Sequence, residues 1–509
     1  MPRIFERLRG IFTPVTEIRR KLFTELARMV VEGRTTQDEL EAIPFKIIKD
    51  DKPHYRCCAF RERAIVRERL RMACGLDLLD RGAHELRLPD IHKIITPESI
   101  ISEPLVNVIK IGCEKCPEDS VVVTDLCRNC LAHPCVLVCP VNAVSIIDAR
   151  STINQEKCIK CLRCTNVCPY QAITRRGRPC AQACGVDAIY SDSDGFAEID
   201  HDKCVDCGLC TVSCPFGAIA DKTEIVQVLT ALEQKIEVNA IVAPSFVSQF
   251  GRKVSPEVVF KALHQVGFHD VREVALGADV DIIIEAGKLA GIIKKEDGER
   301  SFLGTSCCPS WVLTAKNHFP ELERNISESY TPMVETARVF KEERPAGSKV
   351  VFIGPCIAKK HESLQAPMED FVDFVLTFEE MAAIFVAMGI DLMEIEPASP
   401  GQTINDASEL GRGFPVAGGV SDAISVYAER VLGIKPVEIA KADTLRECRK
   451  LLSSIKGGTI QPDLVEGMAC PDGCIGGPGT LAPLKTAHRA VAAFRKEASK
   501  DLPTRKMEP

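Results

Sequence analysis

Cysteines at short, fixed intervals are the residues of this chain best suited to chemistry. Cys158, Cys161, Cys164 and Cys168, followed by Pro169, follow the pattern C-x2-C-x2-C-x3-C-P, and Cys204, Cys207, Cys210 and Cys214, followed by Pro215, repeat it. Three thiolates at this spacing wrap one face of a [4Fe–4S] cubane, while the fourth is carried away toward a neighbouring cluster. Cys127, Cys130, Cys135 and Cys139, followed by Pro140, make a third run with one longer gap, and Cys113 with Cys116 and Cys180 with Cys184 make two half-runs. Together these are 16 cysteines, the number that four cubanes need.

The runs resemble those of bacterial ferredoxins. Each ends in a similar phrase, Asn142-Ala143-Val144, Gln171-Ala172-Ile173 and Gly217-Ala218-Ile219, which marks an internal repeat. A nested arrangement is expected. An inner pair of clusters would use Cys127, Cys130 and Cys135 with Cys168, and Cys158, Cys161 and Cys164 with Cys139. An outer pair would use Cys204, Cys207 and Cys210 with Cys184, and Cys113, Cys116 and Cys180 with Cys214. The expected content is therefore three to four [4Fe–4S] clusters, with a zinc or empty dithiol site as the alternative at Cys113 and Cys116. A row of cubanes moves single electrons between a surface and a buried site.

The rest of the chain indicates what those electrons are for. Three further cysteine phrases lie far apart: Thr305-Ser306-Cys307-Cys308-Pro309-Ser310-Trp311, Pro355-Cys356-Ile357-Ala358-Lys359-Lys360-His361-Glu362, and Glu466-Gly467-Met468-Ala469-Cys470-Pro471-Asp472-Gly473-Cys474-Ile475-Gly476-Gly477. They supply five thiols, one more than a cubane requires. Cys448, outside every phrase, reads as a buried apolar thiol.

These motifs need elements to position them. Residues 1–110 read as a mostly helical region, with periodicity from Phe60 to Ala73 and Arg56, Arg61, Arg63, Arg67, Arg69 and Arg71 interleaved with Ile65, Val66 and Leu70. That basic stretch reads either as a solvated helix face or as a docking face for an acidic electron carrier. Residues 111–222 form the ferredoxin-like domain. From 236 to 490, apolar runs such as Val238–Ala243 and Lys349–Ile353 read as buried strands alternating with helices such as Glu379–Met388. The expected fold is a mixed α/β (α+β) multidomain chain, with ferredoxin-like modules followed by a two-lobed α/β catalytic domain and a charged tail at 491–509.

Composition narrows the function. Most of the 25 cysteines sit at ligand spacing, and Met1–Arg20 carries Arg3, Glu6, Arg7 and Arg9 where a signal peptide would be apolar. Metal ligation in a reducing cytoplasm is therefore expected over a disulfide scaffold. No run of 18 apolar residues suggests a membrane span, and a net charge of −7 gives no reason to expect nucleic acid.

The three catalytic phrases resemble the signature motifs of the [FeFe]-hydrogenases, TSCCPxW, PCxxKxxE and ExMACxxGCxxGG, which occur here in order beside a polyferredoxin region. The stretch from Tyr55-Arg56-Cys57-Cys58 to Met72-Ala73-Cys74-Gly75-Leu76 is similar to the group B branch. The resemblance implies an anaerobic enzyme of hydrogen metabolism, ferredoxin hydrogenase, that interconverts H2 with protons and electrons. Soluble ferredoxin would be its partner, and hydrogenase maturases would load the site. It also implies an H-cluster, a [4Fe–4S] cubane bridged to a [2Fe] subcluster with CO, CN and azadithiolate. Cys308, Cys356, Cys470 and Cys474 would bind the cubane, with Cys474 as the bridge. Cys307 would be the free thiol passing protons, tuned toward neutrality by nearby charge.

In the same way, Lys359 would meet one cyanide, and Pro244 and Ser245 the other. Glu362 would accompany Lys359, and Met468 would pack over the diiron site. The implied proton route runs through Glu285 and Ser327, but the family's second glutamate is replaced by Lys288. Further departures are Gly354 before Pro355-Cys356, Pro478-Gly479-Thr480 after Gly477, and Met333 after Pro332. Alternatives are a sensory hydrogenase, an iron–sulfur assembly protein of the Nar type, and a pure electron carrier.

Overall fold

The cysteine-rich region folds by pairing its own ends. In the computed structural model, which describes residues 12–78, 87–91, 95–296, 298, 300–397, 407–435 and 437–504, β1 (Val106–Val108) runs antiparallel to β8 (Ile219–Asp221). Inside that pair, β2 (Ser120–Val123) runs antiparallel to β5 (Ile173–Arg176). Two local hairpins, β3 (Val144–Ile147) with β4 (Arg150–Ile153) and β6 (Ile189–Ser191) with β7 (Ala197–Ile199), complete the region. One ferredoxin-like unit is thus threaded inside another. Isolated two-stranded pieces are marginal in water. The inner core is correspondingly small: Val121, Val144, Ile153 and Ile173 close around Cys135 and Cys164. The terminal charges Arg3, Glu6, Arg7 and Arg9, and residues 505–509 of the tail, lie outside the described residues.

From Val238 onward, strands alternate with helices. β9 (Val238–Val242), β10 (Val271–Glu273), β12 (Lys349–Gly354) and β13 (Phe374–Thr377) form a parallel sheet of order β10-β9-β12-β13. A second parallel sheet has β15 (Leu464–Met468) between β11 (Leu303–Gly304) and β14 (Ile439–Asp443). Every residue of β9 and β15 is buried, as strands covered on both faces must be. The architecture is mixed α/β.

The N-terminal helices are built into this core. α1 (Pro14–Val31) begins at Thr13, whose hydroxyl accepts from the backbone N–H of Thr16. Its Leu22, Phe23 and Leu26 share one buried cluster with β9, β12 and β13. Arg19 and Arg20 both bond the carboxylate of Glu379. α2 (Gln37–Ile47) packs beside it, followed by α3 (Ala59–Ala73).

Arg56 and the arginines of α3 do not simply face solvent. Arg56 bonds Glu114 and the carbonyls of Gly112 and Phe216, and Arg61 bonds the Ile111 carbonyl. Arg63 bonds the Ile48 and Asp50 carbonyls, and Arg67 forks onto Glu41. Arg71 bonds the Asp77 carbonyl. Arg69, 5% exposed, reaches the carbonyls of Gly217 and Ile219. Arg56, Arg61 and Arg69 thus bind carbonyls at the ends of the ferredoxin-like region, while Arg63, Arg67 and Arg71 bind partners within the N-terminal segment. Arg69→Met is expected to cost about 2–3 kcal/mol by leaving two buried carbonyls without their donor. A lowered midpoint in denaturant unfolding checks this.

Candidate functional site

The structure gathers the accessory cysteines in groups of four. Cys127, Cys130, Cys135 and Cys168 line one cavity of about 370 Å³. Cys113, Cys116, Cys180 and Cys214 line another of about 320 Å³. Cys184, Cys204, Cys207 and Cys210 lie close enough that the first three raise the thiol of the fourth electrostatically, after burial itself. Cys158 and Cys161 act in the same way on Cys164, whose thiol is raised first by burial. Cys139 packs in the same small core as Cys158 and Cys164.

A larger cavity of about 860 Å³ opens where the two parallel sheets present their carboxyl ends. Open α/β sheets bind ligands at that edge. Beyond β9 come Pro244 and Ser245; beyond β12, Cys356 and Lys359; beyond β11, Cys307 and Cys308; at the end of β15 and beyond it, Met468, Cys470 and Cys474. All of these line the cavity, as do Met333 and Cys207. The last of the cysteine groups therefore borders the cavity directly.

Two glycines lock the three phrases together. A methyl group on Gly467 would lie 2.1 Å from Cδ2 of Trp311, and one on Gly477 would lie 2.4 Å from the Pro355 carbonyl. Trp311 is fully buried and donates from Nε1 to the Thr305 carbonyl at 3.0 Å. Glu466 does not face the cavity. Its two oxygens accept the backbone N–H groups of Gly418 and Ser421 at the start of a helix, Gly419–Leu432. Ser310 donates to the Val205 carbonyl at 2.8 Å, tying the first phrase to the run that holds Cys204 and Cys207. Lys360, fully buried, bonds Asp221, Glu380 and the Lys222 carbonyl, fixing the end of β8 against the C-terminal half.

The electrostatics of the cavity suit an iron–sulfur group. Burial pushes the Cys308 and Cys356 thiols up, Cys356 to about 11, and raises Cys474 further. Thiolates gathered here need the positive charge of a metal. The Ser245 hydroxyl is buried without a partner among the described residues. A polar ligand in the cavity would satisfy it. Lys359 bonds Glu362 and the Thr331 hydroxyl, and its ammonium stays charged. Burial lowers its pKa, but Glu362, Cys356 and Cys307 outweigh that and raise it.

Residues 236–478 match the family described as iron only hydrogenase large subunit, C-terminal domain, and residues 120–169 and 157–218 each match a 4Fe-4S dicluster domain. The chain is an [FeFe]-hydrogenase-like protein with ferredoxin domains. It is 28% identical over 393 residues to iron hydrogenase 1 of Clostridium pasteurianum, covering 67% of each chain. It is 27% identical over 279 residues to the periplasmic [Fe] hydrogenase large subunit of Nitratidesulfovibrio vulgaris, covering 46% of this chain and 66% of that one. It is 25% identical over 295 residues to cytosolic iron-sulfur assembly component 3 of Mus musculus, covering 47% and 61%. The chain thus spans about two thirds or less of the length of these relatives. Among the described residues, no helix is long and apolar enough to cross a membrane.

This [FeFe]-hydrogenase-like protein holds the residues of the implied proton route on and beside one helix. α4 (Ala275–Ile293) carries Glu285 and Lys288. Ser327 donates to Glu285, and the Lys288 ammonium donates to Ser327 at 2.8 Å and also to Ser329. Ser329, bonded to Lys288 and Ser327, and Thr331, bonded to Lys359, carry no motif signal in the sequence. Burial pushes the Cys307 thiol well up, and Glu466 and Cys308 add to it.

Proposed function

We propose that this chain catalyses the reversible interconversion of H2 with two protons and two electrons. It would act in the cytoplasm, with soluble ferredoxin as its electron partner and with the site loaded by hydrogenase maturases. The cavity volume carries the reading. The two cavities lined by four cysteines measure about 370 and 320 Å³, open mouths included, whereas the one lined by Cys308, Cys356, Cys470 and Cys474 measures about 860 Å³ on the same basis. That surplus suits a second metal group beside a cubane, and Ser245, Lys359 and Met468 line it.

Cys308, Cys356, Cys470 and Cys474 would hold the cubane of the H-cluster, with Cys474 shared by the diiron part. When bound, that group supplies an open iron for H2 and an amine base beside it. The protein does the rest. Lys359 and Ser245 would orient the cyanides by hydrogen bonds, which anchor a group with few covalent ties to protein. Met468 and Met333 would exclude water. Cys307, its thiol pushed up by burial, would hold a proton at the cavity wall on the way to or from the buried carboxyl of Glu285. Four accessory cubanes would carry electrons, and Cys207 would bring the last of them to the edge of the site.

An assembly protein of the Nar type is the second reading, favoured by the mouse relative. The enlarged cavity, the intact Cys307–Cys308 pair and the bridging Cys474 weigh against it. Infrared spectra of the maturase-loaded protein separate the two. Sharp carbonyl and cyanide bands that shift under H2 support the hydrogenase reading, and cubane signals without such bands support the assembly reading. Glu285→Gln is expected to lower H2 evolution by about 10²-fold or more, the usual contribution of a positioned proton donor. A hydrogen-electrode assay checks it.

A further inference from the structure

α4 carries more ionisable side chains on one face than the proton route above uses. Ala278 lines the large cavity. Asp281, Glu285 and Lys288 follow at three, seven and ten residues, spacings that keep one helical face. At 1.5 Å per residue, this face runs about 15 Å from the cavity wall. Asp281 and Glu285 are each 1% exposed, while the Lys288 side chain is 28% exposed. The stripe therefore leads from the cavity to the surface.

Asp281 has no structural task that explains its burial. Its Oδ1 is out of solvent and without a partner among the described residues, and the same holds for Oε2 of Glu285. Buried carboxyl oxygens left unbonded are costly and call for an explanation. Gly277 makes the enclosure tight, because a methyl group there would lie 2.2 Å from the Pro332 carbonyl at the start of the helix Pro332–Glu343.

Resting on the hydrogenase reading, we propose that Asp281 is a second relay carboxyl, positioned between the cavity and Glu285. Burial first, and then the charge of Glu285 and Glu335, push the Asp281 carboxyl well above the usual range, against the pull of Lys288 and Lys359. Asp281 also raises the Cys307 thiol. These are the charged groups that bear on it from its own helix, from the helix Pro332–Glu343, from Ala358–Ser363 and from the segment after β11. Asp281, one turn from Glu285 and screened from water, is thereby favoured in its protonated form. For H2 evolution the proton enters from the Lys288 ammonium through Ser327 to Glu285, passes to Asp281 and then to Cys307. No electron moves in these steps, and uptake reverses them. Lys288, a cation where the family has a carboxylate, would hold the outer end charged, and it lies 3.6 Å from the Glu285 carboxylate.

Asp281→Asn tests this, since the amide keeps the shape and the unbonded Oδ1 leaves no acceptor to lose. Infrared difference spectra across a pH titration should show a protonated carboxyl band in the wild type, read equally well before the diiron group is inserted, and the band should be missing in Asp281→Asn. In the loaded holoenzyme, H2 evolution should fall at least tenfold. The alkaline limb of its pH profile should flatten, and Asp281→Glu should restore part of the rate. Unchanged rate and pH profile in Asp281→Asn, or a persisting band, would overturn the proposal. Missing carbonyl and cyanide bands in the loaded wild type would instead overturn the hydrogenase reading on which it rests.

Discussion

Cys307→Ala is expected to lower hydrogen evolution and uptake by about 10²–10⁴-fold, the range over which a positioned proton donor contributes, with iron content unchanged. The substitution removes a thiol that lines the cavity but leaves Cys308, Cys356, Cys470 and Cys474 on its walls. Cluster ligation and proton delivery are therefore separable by one methyl-for-thiol exchange. The sign of the thiol's shift matters here. Burial, Glu466 and Cys308 hold Cys307 well above the ordinary thiol range, so the donor form persists through neutral pH and is lost only as pH climbs toward that raised value. In the wild type the loss of turnover on the alkaline side should accordingly not begin near neutrality. Iron analysis, infrared bands of the loaded site and a pH series on a hydrogen electrode check the three parts of the expectation. Wild-type rates in Cys307→Ala with all bands present would remove the cysteine from the route and leave Asp281 and Glu285 to reach the site through water.

The grouping of the cysteines was legible because thiolate spacing is a local property. C-x2-C-x2-C fixes three donors within one short loop, and the fourth comes from a repeat that announces itself by the phrase after Cys-Pro. The strand pairs β1–β8 and β2–β5 follow the same nesting. The apolar runs at Val238 and Lys349 became β9 and β12, and the phrase at Glu379 a helix, since long buried segments carry a strong pattern. The arginines of α3 were not legible. A row of charges on a helix reads the same whether it faces water or carbonyls brought in from residues 111–219, and those partners lie up to 160 positions away. Asp281 was silent for a related reason. One acidic residue in an apolar helix has no motif. Only the fold reveals that it is 1% exposed and lies one turn from Glu285. Glu466 was legible as part of a phrase but not in its task, which is to cap a helix some 45 residues earlier in the chain.

Gly467→Val is expected to abolish a stable, iron-loaded protein, and Gly467→Ala to cost about 3 kcal/mol or more, at and beyond the upper end for overpacking a core. The argument starts from distance. An added methyl group would meet Cδ2, Cε3 and Cε2 of Trp311 at 2.1, 2.2 and 2.7 Å, well inside carbon contact. The indole cannot turn aside cheaply. It is fully buried among Phe302, Ala315, Cys448 and Val465, and its N–H is committed to the Thr305 carbonyl. Nor can β15 retreat, since it is hydrogen-bonded on both sides, to β11 and to β14. The strain therefore passes to the segments that carry the ligands, Thr305–Cys308 on one side and Met468–Cys470 on the other. Loss of iron should accompany loss of stability, which an ordinary core defect would not cause. A second substitution separates the two effects. Trp311→Leu alone opens a hole, but combined with Gly467→Ala it frees the space that the methyl group needs, so the pair should cost less than the sum of the singles. Denaturant midpoints and iron per chain for the four proteins give the coupling directly. Strict additivity would mean that the indole and the glycine do not constrain each other, and that the third phrase owes its glycine to something other than the tryptophan of the first.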